Sequence, residues 1–141
     1  MQNKNLLPYN ISGFETELLT ILNWWINNTI DHRNKSGGYI GRISGVNSID
    51  PLAPKGSVLN SRILWSFSAT ANVLPQNKDF YNAAVRAYNF VDKYLFDSVN
   101  GGVYWSINSD GTPLDKKKQI YAQAFAIYGL SEYYKLTNNE E

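Results

Sequence analysis

The chain has 141 residues, 43% hydrophobic and 18% charged, and its 13 Lys+Arg against 12 Asp+Glu leave a net charge of +1. Those values fit one globular domain with a real core and exclude a disordered chain. The near-zero charge argues against nucleic-acid or acidic-membrane partners, and the absence of cysteine excludes disulfides, thiolate metal sites and a cysteine nucleophile.

The opening "MQNKNLLPYN" lacks the apolar segment of a secretion signal, and no apolar run reaches transmembrane length, so a cytoplasmic protein is expected. A first helix is predicted over 13–28, with Leu18, Leu22, Trp25 and Ile26 on one face. Ser12 is its expected N-cap, with Glu15 completing a capping box. A long segment, 29–56, follows. It holds "SGGYIGRISG" at 36–45, whose Gly-Gly turn and β-favouring run predict a small hairpin. The single histidine, His32, reads as an exposed loop residue ahead of that hairpin.

A second helix is predicted over 57–73, and "LPQNK" turns it tightly into a third over 79–96. Asp79 is the expected N-cap there, and Phe80, Ala84, Ala87, Val91 and Tyr94 recur near helical spacing. A second long segment, 97–118, carries "NGGVYWSINSDG" and ends in "KKK" at 116–118, which reads as a solvated loop end. The fourth helix, 119–136, contains Ile120, Phe125, Ile127, Leu130, Tyr133 and Tyr134.

The two long segments resemble each other. Gly37–Gly38 and Gly101–Gly102 lie 64 residues apart, and matching Lys55 to Lys117 gives a spacing of 62. The pattern is a repeat of helix, long β-loop, helix and short turn. Helices one and three are amphipathic, whereas two and four are apolar on nearly every side, which predicts an inner layer of two and four behind an outer layer of one and three. The repeat also brings both long loops to one face, beside the starts of the inner helices, where functional residues tend to collect.

One residue breaks the apolar character of the second helix. Arg62 has Val58, Leu59, Trp65 and Ser66 as its helical neighbours, and a guanidinium buried without partners costs several kcal/mol. From periodicity, two readings stand equally. Arg62 points into a wet internal cavity, or it snorkels or pairs with a carboxylate such as Asp50 or Asp115. The aromatic content of 14%, with 4 Trp and 10 Tyr, serves a core or a sugar platform equally well.

The strings "GGYIGRI", "APKGSVLNSRILWSFS", "GGVYWS" and "KKQIYAQAFAIYGLSEYY" resemble the N-terminal part of the N-acylglucosamine 2-epimerase family, most of all its cellobiose 2-epimerases. The likeness runs in register from about Leu18 onward. It implies an all-α fold: the N-terminal two helix pairs of an (α/α)6 barrel, with short β-hairpins in the long loops. Residues 1–141 then form one partial toroid domain lacking the C-terminal helix pairs. The resemblance implies that no catalytic residue lies in this chain, because the family's general acid/base histidines are expected after Glu141 and His32 matches none of them.

Two substrate-binding residues carry over. Arg62, in "NSRILW", matches an arginine that contacts the sugar at its reacting end, and Tyr121, in "KQIYAQAF", matches a pocket tyrosine nearby. Trp65, Tyr104 and Trp105 stand in matching aromatic positions as candidate pocket aromatics, with packing in the core or hairpins as their ordinary use. The implied substrate is a disaccharide or monosaccharide, with no cofactor, no metal, no nucleic acid and no membrane partner. The implied reaction interconverts reducing-end glucose and mannose of a cellobiose-like disaccharide by proton abstraction at C2 through an enediolate. The chain alone is expected to be inactive, and its uncovered inner helix face is expected to promote self-association. Alternative readings are a noncatalytic helical carbohydrate- or protein-binding module, or a fragment of an (α/α)6 glycoside hydrolase. The hydrolase would need paired carboxylates, and apart from Glu132 the acidic residues fall in loops and outer helices.

Overall fold

The long apolar run ahead of "LPQNK" forms helix α2 (Ser57–Val73) with the predicted boundaries. In the computed structural model, residues 11–34 and 36–138 are described. Helix α1 (Ile11–Thr29) comes first, then strands β1 (Arg42–Ile43), β2 (Ile49–Asp50) and β3 (Lys55–Gly56). After α2 follow α3 (Lys78–Phe90), a π turn (Val91–Leu95), β4 (Ser106–Ile107), β5 (Pro113–Asp115) and α4 (Ile120–Thr137). No helix among the described residues is long and apolar enough to cross a membrane.

Helices α2 and α4 lie side by side and parallel. Contacts between them advance together along both helices, from Arg62 over Phe125 to Asn72 on Glu132. Their seam is built of small residues: Ser57, Ser61 and Ser68 on α2 are fully buried, as is Ala122 on α4, and Ala126 nearly so. At Gly129 a Cβ would stand 2.6 Å from the Ser61 carbonyl oxygen, so the closest approach of the two helices demands glycine. Helix α3 lays Phe80, Ala83, Ala84, Ala87 and Phe90 against this pair. Tyr39 from the first loop stacks on Phe67 at 6.1 Å, and its hydroxyl donates to the Ala83 carbonyl at 3.0 Å.

Several local expectations change. Helix α1 starts at Ile11, so Ser12 lies inside its first turn. The cap of α3 is Asn77, whose side chain accepts from the Asp79 and Phe80 N–H groups. Asp79 sits instead in the first turn, where its charge suits the helix dipole. The predicted third helix breaks at Phe90 into the π turn, which absorbs one extra residue before the chain leaves. The hairpins β1–β2 and β4–β5 lie just after the Gly-Gly pairs. Those glycines, all at positive φ, close a separate turn after each outer helix, marked by the bridges Ile30↔Tyr39 and Phe96↔Val103. Strand β3 pairs with β4, so the two long loops share one sheet beside the start of α2.

Each such turn is organised by an aspartate. The Asp31 carboxylate accepts from the Arg33 N–H at 2.9 Å, from the Asn34 N–H at 3.2 Å and from the Asn34 amide at 2.8 Å. Asp97 accepts from the Val99 and Asn100 N–H groups at 3.1 Å and from the Asn100 amide at 3.2 Å. A lysine at the entry of the next inner helix completes each set. Lys55 Nζ reaches Asp31 at 2.7 Å and the Gly37 carbonyl at 2.6 Å, and Lys118 Nζ reaches Asp97 at 2.8 Å. The repeat partner of Lys55 is therefore Lys118, one position beyond the expected Lys117. All three lysines of "KKK" are exposed, as a loop end should be, but the last of them also pairs with the buried Asp97 carboxylate.

The Lys55–Asp31 pair is almost completely buried, at 1% and 3% exposure. Burial alone would raise the Asp31 carboxyl, but the bonds from Lys55, Asn34 and the Arg33 and Asn34 N–H groups outweigh it and hold it at about 2, below its ordinary 3.8. A carboxyl held low in the folded state contributes stability that is complete above its ordinary value and is lost as pH falls through the folded one. Stability should therefore fall between about pH 4 and about pH 2. Asp31→Asn, which leaves the Lys55 ammonium buried and uncompensated, should cost about 3–5 kcal/mol in urea unfolding. Arg42→Gln removes the exposed Arg42–Asp50 pair and should cost less than about 1 kcal/mol.

Candidate active site

Arg62 answers its anomaly by facing outward from α2, where it is exposed. Among the described residues it forms no ion pair, because the two carboxylates available by sequence are engaged elsewhere: Asp50 by Arg42 and Asp115 by Lys117. Its guanidinium carbon instead stands 6.0 Å from the centre of the Phe125 ring, within the range of a cation–π contact.

Tyr121 lies one helical turn before Phe125 on α4 and meets the same ring edge-on at 4.9 Å. It is 60% exposed, so its hydroxyl is available to a ligand. Arg62 and Tyr121 thus both lie against one aromatic ring. Trp65, one turn beyond Arg62, stacks on Tyr128 at 4.9 Å and 14°, and Tyr128 meets Phe125 edge-on at 6.4 Å. The result is a continuous surface on α2 and α4 in which Arg62 and Tyr121 border three further rings, those of Phe125, Tyr128 and Trp65.

Phe125 and Tyr128 were not distinguished by sequence reasoning from core residues. Their signal lies in the repeat: counted from the starts of α2 and α4, Trp65 corresponds to Tyr128 and Arg62 to Phe125. Parallel neighbouring helices place equivalent positions opposite one another.

Tyr104 and Trp105 lie in the second long loop, which packs on the start of α2: Ser57 Oγ donates to the Tyr104 carbonyl and the Ser57 N–H to the Trp105 carbonyl. The Tyr104 ring lies under the Lys118 ammonium at 4.4 Å, and burial and the Asp97 carboxylate push its phenol up. The Trp105 ring is partly exposed. His32 is exposed within the Asp31 turn. Glu132, the carboxylate on an inner helix, accepts from Asn72 at 2.9 Å and pairs with Lys135 at 2.9 Å. Those contacts hold it in its charged form, Lys135 first among them.

A second feature adjoins Arg62. Between α1 and α2 runs a groove of about 730 Å³, lined mainly by Leu18, Leu22, Trp25, Leu59, Ile63 and Val73, with Arg62 at its margin. On α4, Ile120, Ile127 and Tyr134 are likewise exposed. The inner helices, apolar on nearly every side, are therefore not covered on every side by the rest of this chain, contrary to the simplest reading of their composition.

If the Trp65–Tyr128 stack is a genuine interaction of this surface, a double-mutant cycle with Trp65→Ala and Tyr128→Ala should show a coupling of about 0.5–1.5 kcal/mol. A cycle pairing Trp65→Ala with Tyr104→Ala should show none.

Comparison with known proteins places this geometry. Residues 38–141 match the family model of N-acylglucosamine 2-epimerase (GlcNAc 2-epimerase). A cellobiose 2-epimerase of Bacteroides fragilis is 46% identical over 128 residues, spanning 90% of this chain and 32% of the relative. One from Dictyoglomus turgidum is 48% identical over 106 residues, 75% of this chain and 27% of the relative. The structure of cellobiose 2-epimerase from Spirochaeta thermophila superimposes with a TM-score of 0.84 at 34% identity, covering 98% of this chain and 34% of that one. The chain thus spans about a third of the length of the relatives it matches. Its inner α2 and α4 with outer α1 and α3 are two helix pairs of an (α/α)6 barrel. The chain belongs to the N-acylglucosamine 2-epimerase family.

Proposed function

We propose that this chain forms the N-terminal third of a sugar 2-epimerase that interconverts glucose and mannose at the reducing end of a β-1,4-linked disaccharide such as cellobiose. The observation that carries this reading is the placement of Arg62 and Tyr121 against one ring, that of Phe125. The similarity to cellobiose 2-epimerases supports it.

Epimerisation at C2 requires the open-chain aldehyde, removal of a weakly acidic proton beside it, and return of a proton from the opposite side. The enediolate that forms carries negative charge on oxygen, and donors already aimed at that oxygen lower the barrier. A guanidinium that cannot lose its charge, in no ion pair among the described residues and backed by an aromatic ring, suits that task. The Tyr121 phenol suits orienting a sugar hydroxyl, and the Trp65–Tyr128 stack offers an apolar face to a pyranose ring. Stabilising the enediolate and orienting the sugar leave the removal of the C2 proton to another group. That step belongs to a base such as neutral histidine, placed in the part of the enzyme beyond Glu141.

The 141-residue chain incubated with cellobiose should give no glucosyl-mannose. Fused to the portion of the Bacteroides fragilis relative that it does not match, it should epimerise cellobiose, and Arg62→Gln in that fusion should lower kcat/KM by roughly 10²–10³-fold. Turnover by the isolated chain, or release of free glucose by the fusion, would refute the assignment. The exposed apolar groove and α4 face should also make the isolated chain self-associate; a monodisperse species of 16.0 kDa in light scattering counts against it.

A further inference from the structure

A second cleft, of about 550 Å³, shares no lining residue with the Arg62–Tyr121 surface. Its walls are Ile26 near the end of α1, Ile30 just past it, the turn Ser36–Gly38, and one face of α3 and the π turn. On that face Asn82, Arg86, Asn89 and Lys93 follow one another at spacings of four, three and four, which aligns them in a single row. The opposite side of the same helix is occupied by its core residues Phe80, Ala84, Ala87 and Val91, so packing does not explain the polar row.

Arg86 is half-buried. Its terminal nitrogen lies 3.7 Å from where a Cβ on Gly37 would stand, which lays the guanidinium against the left-handed glycine turn. Among the described residues neither Arg86 nor Lys93 forms an ion pair. The nearest carboxylate in that turn, Asp31, is engaged by Lys55. Asp79, the one carboxylate on the lining, sits seven residues before Arg86, about 10 Å along the helix axis. The row therefore presents two cations and two primary amides, a set rich in donors, beside a wall of isoleucine.

Such a set is matched by an anion with several oxygens. A guanidinium fork and an ammonium recognise a phosphate more strongly than a neutral hydroxyl, and a cleft of this size holds a small organic body as well as the phosphate. We propose that this cleft binds a small phosphorylated sugar, with Arg86 and Lys93 on the phosphate, Asn82 and Asn89 on its oxygens or hydroxyls, and the body against Ile26 and Ile30. The site does not depend on the epimerase reading, because it lies entirely on the outer layer and the loop.

The test is calorimetric titration of the full 141-residue chain at low salt with glucose 6-phosphate, inorganic phosphate and glucose. Saturable binding is expected for glucose 6-phosphate, weaker binding for inorganic phosphate, and none for glucose. Arg86→Gln and Lys93→Gln should each weaken glucose 6-phosphate by roughly tenfold, with circular dichroism unchanged. Lys116→Gln, at an exposed lysine outside the cleft, should bind as the unaltered chain does. Lys93 is exposed, so its replacement keeps the test valid should the Arg86 variant misfold. Absence of saturable binding, equal binding of glucose, or undiminished binding by Lys93→Gln overturns the proposal.

Discussion

The ion pair between Lys55 and Asp31 is the constraint from which the rest of the molecule follows. Asp31 stands just past the end of α1, and Lys55 stands two residues before α2, so the pair fixes the end of an outer helix to the entry of an inner one across a long loop. Its surroundings explain why it tolerates burial. Asn34 and two backbone N–H groups saturate the carboxylate, and the ammonium is shared by a carboxylate, a carbonyl and a hydroxyl. A charge this far from water is stable only while every partner holds its place, so the interaction specifies the loop more than it strengthens it. The second unit repeats the device with Asp97 and Lys118 in a more open setting.

That device also explains what sequence reasoning could and could not reach. Helix α2 was legible to the residue, because a segment rich in apolar residues and free of glycine and proline lies between "APKG" and "LPQNK". The end of α3 was not, since a π turn changes the hydrogen-bond register without changing the apolar pattern. The partnership of Asp31 with Lys55 leaves no local trace: an aspartate in a polar loop and a lysine before a helix are ordinary in isolation. The two loops also differ in length, with Asp31 to Gly38 spanning two residues more than Asp97 to Gly102.

The candidate site divides in the same way. Arg62 could be singled out because a permanent charge inside an apolar helix is a contradiction that must be resolved in three dimensions. Tyr121 could not be singled out by pattern, since a tyrosine fits a core as readily as a pocket; family resemblance alone selected it. Phe125 and Tyr128 escaped notice for a related reason. Which side of an apolar helix stays open depends on what packs against it from elsewhere, and neither periodicity nor composition contains that information. Arg86 was similarly unremarkable as a charge on an amphipathic helix, because the glycine turn that it lies against comes from a distant part of the chain.

The pairing of β3 with β4 has a consequence for how such a chain is made. Lys55 and Gly56 obtain their strand partners from Ile107 and Ser106, about fifty residues later. During synthesis the first helical pair therefore emerges from the ribosome with one edge unzipped, and it waits for the following loop to close it. In this way the first unit hands an open margin forward, and the second finishes it.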